Sequence, residues 1–401
     1  MATTATNTVL TPDMITAKAL VVLHQKLNFI GSINRAYDNS FAQAGAKIGD
    51  TLRIRLPNQY TVRTDMTLVP QNTVELNTSL AVTNISGTDI SFSSEELTLK
   101  MDDFSARVIE PAVSVIAADI ESRALAMALD VYNNVNGQGA AQTFKNFLTG
   151  RKLLLDNLAP QSRQWLARIN TQDNVDMVDS LKGLFQSSQR ISTQYTDGVM
   201  GVTAGFEFAE NTHLQTFTRS AAVSYAVNTT STTGLSTLAV KTGTGTALHG
   251  EVFTIAGVNR VHPETKKDTG VLQQFVLTAD AAGAGTQTWS ISPAPYFSSP
   301  HAGRDNVTKL PTANDAITFI GTASVAVGQS MVYHPDAFTF ASADLVMPGG
   351  VDMASRAVKD GISIRLVRQF DINNGYFPCR LDVLWGCKAI RPQLAARIFA
   401  N

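Results

Sequence analysis

The stretch Thr51-Leu-Arg-Ile-Arg-Leu-Pro57 decides how the rest of the chain is read. Side chains along a strand alternate between its two faces. Leu52, Ile54 and Leu56 therefore share one face, and Arg53 and Arg55 share the other. Pro57 has no amide hydrogen to continue a ladder, so it ends the strand. A polar stretch through Asp65 and Asn72 follows, and apolar alternation returns at residues 80–82 and 90–92. Strands at both ends with polar residues between predict an extended two-stranded arm. A lone pair of strands buries little surface and is marginal without a partner surface. Arg53 and Arg55 are therefore expected to reach acidic or carbonyl groups of a neighbouring subunit.

On the N-terminal side of the arm, Thr11 can cap a helix that has Pro12 at its first position. Ile15, Ala19, Leu23 and Leu27 recur every four residues up to Asn28. A loop through Asn34, Asp38 and Asn39 should follow. On the other side, Pro111 suits the first turn of a long helix. Val115, Ile116, Ile120, Leu125, Met127 and Leu129 carry its apolar pattern to about Asn134. That is about 24 residues, or about 36 Å at the helical rise, with Gly137 and Gly139 as the stop. Further helices are expected over 143–155, closed by Pro160, and over 175–185. Trp165-Leu-Ala-Arg-Ile169 reads as a strand between them.

From about Ser220 the texture changes. The chain becomes rich in Thr, Ser and Gly, with short strands at 237–240, 252–255, 274–278 and 289–291, and no helix before residue 323. Residues 221–323 thus read as a small β-barrel-like domain inserted into a mixed host. An insertion needs its two ends close together, and Arg219-Ser220 and Gly321-Thr322 both read as loops. Its core candidates are Val252, Phe253, Ile255, Val258, Phe275, Leu277, Trp289, Ile291, Ile317 and Phe319. A helical and mixed texture should resume with Val332-Tyr-His-Pro-Asp336 and the apolar run 338–346. Two strands, 362–370 and 377–387, should end the chain, with Asn373-Asn374-Gly375 as their turn.

Composition narrows the function. The chain has 401 residues, of which 44% are hydrophobic and only 16% charged, well below the usual quarter. A low-charge surface suits a protein whose faces end against neighbours. With 32 Lys and Arg against 33 Asp and Glu, the formal charge is −1, so no basic excess points to tight nucleic-acid reading. The polar start is no signal peptide, and no run reaches the roughly 18 apolar residues of a membrane span. The expected site of synthesis is a cytoplasm. Cys379 and Cys387 lie eight apart on one predicted strand, so no disulfide is expected.

No catalytic motif in the sequence is complete. Asp268-Thr269-Gly270 is a single aspartic-protease-like triplet, whereas that chemistry needs two facing carboxylates. Lys241-Thr-Gly-Thr-Gly-Thr246 lacks the Gly-Lys-Ser/Thr and the strand-loop-helix of a phosphate loop. None of the six histidines has the helical spacing of a zinc site. No catalytic, cofactor-binding or metal-binding residue is assigned, and the chain is expected not to be an enzyme.

Four groups of segments carry a family resemblance. Ala46-Lys-Ile-Gly-Asp-Thr-Leu-Arg-Ile-Arg-Leu-Pro57 resembles the entry to the extended arm of tailed-bacteriophage major capsid proteins. Glu96-Leu-Thr-Leu-Lys-Met-Asp-Asp-Phe104 resembles that arm's return into the spine helix. His334-Pro-Asp-Ala-Phe-Thr-Phe-Ala-Ser-Ala-Asp-Leu-Val-Met-Pro348, with Gly361-Ile-Ser-Ile-Arg-Leu-Val-Arg368 and Arg380-Leu-Asp-Val-Leu-Trp-Gly386, resembles the family's C-terminal third. Phe253-Thr-Ile-Ala-Gly-Val258 through Gln273-Gln-Phe-Val276 resembles the inserted domain of certain short-tailed-phage coat proteins.

The resemblance implies an α+β, Hong Kong 97-type capsid fold with an inserted β domain. Its parts would be an N-terminal arm (1–45), an extended β loop (46–100) and the spine helix of a peripheral domain (101–140). An axial domain (141–220 and 324–358) would be interrupted by the insertion (221–323), and peripheral strands (359–401) would end the chain. The implied partners are further copies of the chain in hexamers and pentamers, a separate scaffolding protein, a portal protein and double-stranded DNA held non-specifically. A decoration protein is an optional partner, and no membrane is involved. The shell would be a procapsid built in the host cytoplasm and expanded into the mature head of the virion. The stretch Asn228-Thr-Thr-Ser-Thr-Thr-Gly234 is short and uncharged where insertion-bearing relatives carry a long charged loop, so salt bridges between capsomers from that loop are not expected. An encapsulin-like compartment shell and a β-rich binding module are the alternatives.

Overall fold

The structure is a computed structural model. It describes residues 27–36, 51–63, 66–68, 70–71, 75–93, 110–181, 201–298, 302–359 and 362–400, together with Thr16, Ala19, Val21 and Leu23. Strands β1 (Thr51–Leu56), β2 (Leu76–Ala81) and β3 (Asn84–Ser93) precede helix α1 (Glu110–Leu125). There follow β4 (Asn134–Gly137), α2 (Phe144–Asp156), β5 (Trp165–Ile169), α3 (Thr171–Leu181), β6 (Val202–Thr203), β7 (Phe206–Glu210) and β8 (Phe217–Thr218). Next are β9 (Ala226–Val227), β10 (Thr237–Lys241), β11 (Val252–Val261), β12 (Asp268–Leu277), β13 (Gln287–Ser292) and β14 (Ile317–Phe319). The chain continues with β15 (Ala326–Tyr333), β16 (Phe338–Ala343), β17 (Met353–Lys359), β18 (Ile362–Arg368), β19 (Tyr376–Ala389) and β20 (Ala395–Ala400).

Contacts divide the chain into two compact units. One holds the described residues up to Ile54, Ser79–Ala124 and Thr339–Lys388; the other holds Arg55–Thr78, Leu125–Phe338 and the residues from Ala389 onward. The segment 324–358, read from the sequence as one piece, is thus divided after Phe338, and β20 falls with the second unit.

In the first unit, the sheet β16-β19-β18-β17, with β3 on β19, carries α1. Val113, Ile116, Ala117, Ile120 and Ala124 form the helix's buried stripe. Val115, expected in that stripe, is 64% exposed, because each helical residue turns the side chain by about 100° from the last. Trp385 is fully buried; its indole N–H donates to Ser86 Oγ at 3.0 Å, and Ser86 Oγ donates to Asp119 Oδ2 at 2.6 Å. Glu121, also buried, accepts from the backbone N–H groups of Phe29 and Ile30, which satisfies a carboxylate that would be costly to bury bare. Ala19, Leu23 and Leu27 are buried. Thr11, Pro12, Ile15, Asp38, Asn39, Glu96–Phe104 and residues 182–185 lie outside the described residues.

Cys379 and Cys387 both sit in β19, and neither is in a disulfide. Their separation along the strand is about 26 Å, far beyond the roughly 7 Å between Cα atoms that a bridge allows. Burial pushes the Cys379 thiol up to about 11.

Three expectations are corrected. The long helix ends at Leu125 and passes through a 3-10 turn, Ala126–Asp130, into β4. β4 pairs in parallel with β20, Asn134 opposite Arg397, a partner too distant in sequence for local periodicity to reveal. No α-helix follows residue 323 among the described residues. The run Phe338-Thr-Phe-Ala-Ser-Ala343 is buried throughout, and an apolar run buried on both faces has no period that separates strand from helix. The final strands also number more than two: β17 and β20 flank the pair read from the sequence.

The second unit contains the sheet β4-β20-β15-β5-β7-β6, with β8 on β15, and helices α2 and α3. Gly150 of α2 lets the helix approach closely, since a Cβ there would lie 2.9 Å from Val332 Cγ2. It also contains the six strands β14-β11-β12-β13-β10-β9. These close on themselves. Ala226 bridges Ala316, and the N–H groups of Val227 and Ile317 donate to the carbonyls of Asp315 and Tyr225 at 2.9 and 3.0 Å. Phe253 faces Phe275 on one side and Phe319 on the other, and Leu238 faces Trp289. The barrel core runs from Ala222 to Ile317 and includes Tyr225, Phe253, Ile255, Phe275 and Trp289. The Trp289 ring centroid lies 4.7 Å from Tyr225, 5.6 Å from Phe253 and 5.7 Å from Phe319. Val252 belongs elsewhere: with Val276 and Ile320 it packs on Tyr132 of the host.

Candidate assembly surfaces

Along β1 the alternation read from the sequence holds. Ile54 is buried, Leu52 and Leu56 are half-buried, and Arg53 and Arg55 are exposed. Among the described residues, β1 pairs with β2 as a two-stranded sheet. Arg55 Nε lies 3.4 Å from Glu75 Oε2, with both side chains well in solvent. At the far end, Val62, Met66 and Leu68 are 89%, 101% and 80% exposed. Two paired strands have no interior that would hide them. The sequence reading called this end polar and did not single out these three apolar side chains.

Beyond the end of β1, the arm meets the barrel. Gly303, in the 3-10 turn Ala302–Arg304, would place a Cβ 2.4 Å from the carbonyl oxygen of Gln59, so the two backbones touch. Beside this contact is a cavity of about 260 Å³ lined by Gln59 and Leu76 of the arm and by Arg260, Lys266 and Tyr296 of the barrel, among others. Burial pushes the Lys266 amine down, and Lys266 Nζ donates to the carbonyl of Asp305 at 3.2 Å.

The joint between barrel and host is made of polar groups, of which Arg219, Glu251 and Arg397 are buried. Arg219 donates to the carbonyls of Gly321 (2.9 Å) and Ala222, which holds the two ends of the insertion together. Its guanidinium lies 4.9 Å from the Phe319 ring centroid. Glu251, fully buried, accepts from the backbone N–H of Ser220; burial pushes its carboxyl up, while Ser220 and Arg219 pull it down. Gln274 uses its amide as a short piece of strand: its Oε1 accepts from Asn134 N–H at 2.7 Å and its Nε2 donates to Asn134 O at 3.1 Å. That covers the free edge of β4. Arg260 NH2 reaches Asp156 Oδ2 at 2.8 Å, and His249 Nε2 reaches Asp130 Oδ1 at 2.8 Å.

Arg397 is the centre of this joint. It is fully buried. It donates to the Gly250 carbonyl at 2.6 Å and to Gln329 Oε1 at 3.0 and 3.3 Å. Its guanidinium lies 4.6 and 4.9 Å from the ring centroids of Phe217 and Phe399. Burial pushes its pKa down to about 9. The sequence reading named none of these joint residues. The available signal was one arginine in the strand Ala395-Ala-Arg-Ile-Phe-Ala400, since buried charges are rare unless partnered.

The structure gives the discounted motifs structural roles. Gly243 sits under the Tyr225 ring, where a Cβ would lie 2.2 Å from ring carbons, and Tyr225 OH donates to Gly245 O at 2.6 Å. Asp268 accepts from Asn259 Nδ2 at 3.1 Å and from Gly270 N–H at 2.8 Å, at the turn end of β12. No helix among the described residues is long and apolar enough to cross a membrane.

The family model described as "P22 coat protein - gene protein 5" matches residues 32–399. Solved structures with a similar trace include one of Mycobacterium phage Che8, 10% identical, covering 91% of this chain and 88% of that one at a TM-score of 0.47. The capsid of Cyanophage P-SCSP1u is 9% identical over 90% and 85% of the two chains, at 0.44. A virus-like particle from Pyrococcus furiosus is 6% identical over 96% and 97%, at 0.39. No curated protein matches the chain. At these identities and scores the structural likenesses carry no argument; the family match, over nearly the whole chain, does.

Proposed function

The chain belongs to the P22 coat protein family, and from that premise we infer how its arm and its barrel serve a phage head. It is a major capsid protein: a structural subunit, not an enzyme, whose copies associate into the icosahedral shell. Membership sets aside the compartment-shell and binding-module readings.

The arm is the reaching element. Val62, Met66 and Leu68 bury little in their own chain, and in a shell the surface at hand is a second copy. Apolar area removed from water stabilises by about 25 cal/mol per Å², so the tip supplies adhesion. Arg53 and Arg55 supply orientation, because exposed charges steer and select more than they bind. The shell is of the Hong Kong 97 type, built from hexamers and pentamers on a separate scaffolding protein. It assembles in the host cytoplasm, expands as DNA enters through a portal, and leaves a decoration protein optional. The near-zero net charge suits a wall that contains DNA without reading it. Residues 221–323 act as a self-folding domain, supported by a core drawn from that segment alone.

The observation that carries this reading is the exposed apolar arm tip. Assembly with the scaffolding protein, followed by negative-stain microscopy, tests it. The parent should give closed shells. The double variant Val62→Asp, Leu68→Asp should give soluble subunits with an unchanged thermal melt and no shells. Closed shells from the double variant would remove the arm tip from the mechanism.

A further inference from the structure

We propose that Arg151 and Arg163 form a carboxylate-binding pocket in the second unit. Other arginines of this chain that leave the solvent each reach an acceptor. Arg260 meets Asp156 at 2.8 Å, Arg365 meets Asp382 at 2.6 Å, Arg368 meets Asp352 at 2.8 Å, and Arg397 donates to Gly250 O at 2.6 Å. Arg151, on α2, has none among the described residues, and its Nε is buried without a hydrogen-bond partner. The contacts that hold its guanidinium use none of its donors. Cζ lies 6.0 Å from the Trp165 ring centroid. A Cβ at Gly205 would stand 3.4 Å from Cζ and 3.5 Å from Nη2, and the backbone there has a φ of +81°, which glycine adopts readily. A planar cation is thus set against a ring and a bare stretch of backbone, with its donors unspent.

The cavity beside Arg151 has a volume of about 350 Å³, and Gln161, Arg163, Gln164 and Trp165 also line it. Its neutral walls are tied back. Gln164 Nε2 donates to Gly205 O at 2.8 Å, and the Trp165 indole N–H donates to Pro160 O at 2.8 Å. No acidic side chain lines the cavity. Arg163 is 63% exposed and stands 3.7 Å from Asp336 Oδ1, too far for a hydrogen bond. Two guanidiniums facing one cavity repel each other unless an anion joins them. A guanidinium presents its donors as a flat fork, which matches the two oxygens of a carboxylate better than a spherical ion. Two sources supply that chemistry. One is an acidic side chain of a second copy, which rests on the shell-subunit reading above; the other is a free small carboxylate.

Phenylglyoxal, which adds to the Nη atoms of free guanidiniums, reads the pocket in the full chain by peptide mass spectrometry. In unassembled subunits, replacing chloride with acetate at equal ionic strength should slow labelling of Arg151 and Arg163 at least threefold. Equal ionic strength holds screening constant, so the solvent-exposed Arg55 should keep its rate. Arg163→Gln, a change at an exposed side chain, should remove more than half of the protection that acetate gives Arg151. Closed shells in chloride then identify the source. Slow labelling of Arg151 that acetate does not slow further assigns the carboxylate to a second copy. Labelling as fast as in the subunit, and slowed by acetate, assigns it to a free small carboxylate. Labelling of Arg151 in the subunit that acetate leaves unchanged would overturn the proposal, as would an Arg163→Gln subunit protected as well as the parent. Neither result depends on shells forming, so a failure to assemble would count against the shell reading alone.

Discussion

The barrel and the arm are both β structure from one chain, and they treat their apolar residues in opposite ways. In the barrel, Phe253 and Phe275 are wholly buried and Trp289 is 1% exposed. In the arm, Val62, Met66 and Leu68 stand almost fully in solvent. Residue type does not separate them, since both regions alternate apolar and polar side chains. Closure does. Six strands that meet at Ala226 and Ala316 enclose an interior, whereas two strands have a face and no interior. The barrel's core is complete within its own segment, whereas the arm leaves its apolar side chains in solvent.

The sharpest way to break this contrast is to open the barrel. Trp289→Ala removes the ring that touches Tyr225, Phe253 and Phe319. It should cost about 3–5 kcal/mol, read in the full chain by denaturant unfolding followed through the barrel's amides. A loss below about 1 kcal/mol would mean the core does not hold the barrel. A smaller effect comes from the seam. Burial raises the Asp315 carboxyl, but bonds from Thr312 N–H, Lys309 and Thr312 Oγ1 outweigh it and hold the group below its ordinary range. Such a carboxyl binds its proton less tightly folded than unfolded. Its stabilisation is therefore full above a pH of about 4 and is lost as pH falls through the depressed value. Asp315→Asn should cost about 1–2 kcal/mol at neutral pH and flatten the acid limb of the melting profile. An unchanged acid limb would place the acid sensitivity elsewhere. The smallest effect on the subunit belongs to the arm. Arg53→Ala with Arg55→Ala should move the unassembled subunit's stability by no more than about 0.5 kcal/mol, while shell yield falls. A clear loss of subunit stability would make the arginines internal struts and erase the contrast.

How far the sequence could be read followed the range of the interactions. The alternation Leu52, Ile54, Leu56 against Arg53, Arg55 is local, and it was legible. So were the aromatic strands of the barrel and the turn in which Asp371 O accepts from Gly375 N–H at 2.9 Å. The run 338–343 misled because it is buried on both faces and carries no period. β20 was missed because Ala395-Ala-Arg-Ile-Phe-Ala400 has weak strand character of its own; its state is set by β4 and β15 on either side.

By itself, the sequence determined the chain's local grammar: which faces of the first arm strand are apolar, and where the texture turns to short strands rich in Thr, Ser and Gly. Those features depend on neighbours within a few residues, whose spacing any strand or helix enforces. Only the tertiary structure decided that the barrel closes, that β4 and β20 lie side by side, and that Arg397 meets Gly250, Gln329 and Phe217 at one point. These contacts join residues far apart in the chain. Their energy comes from burying groups together that are unremarkable apart, so no single segment carries the signal.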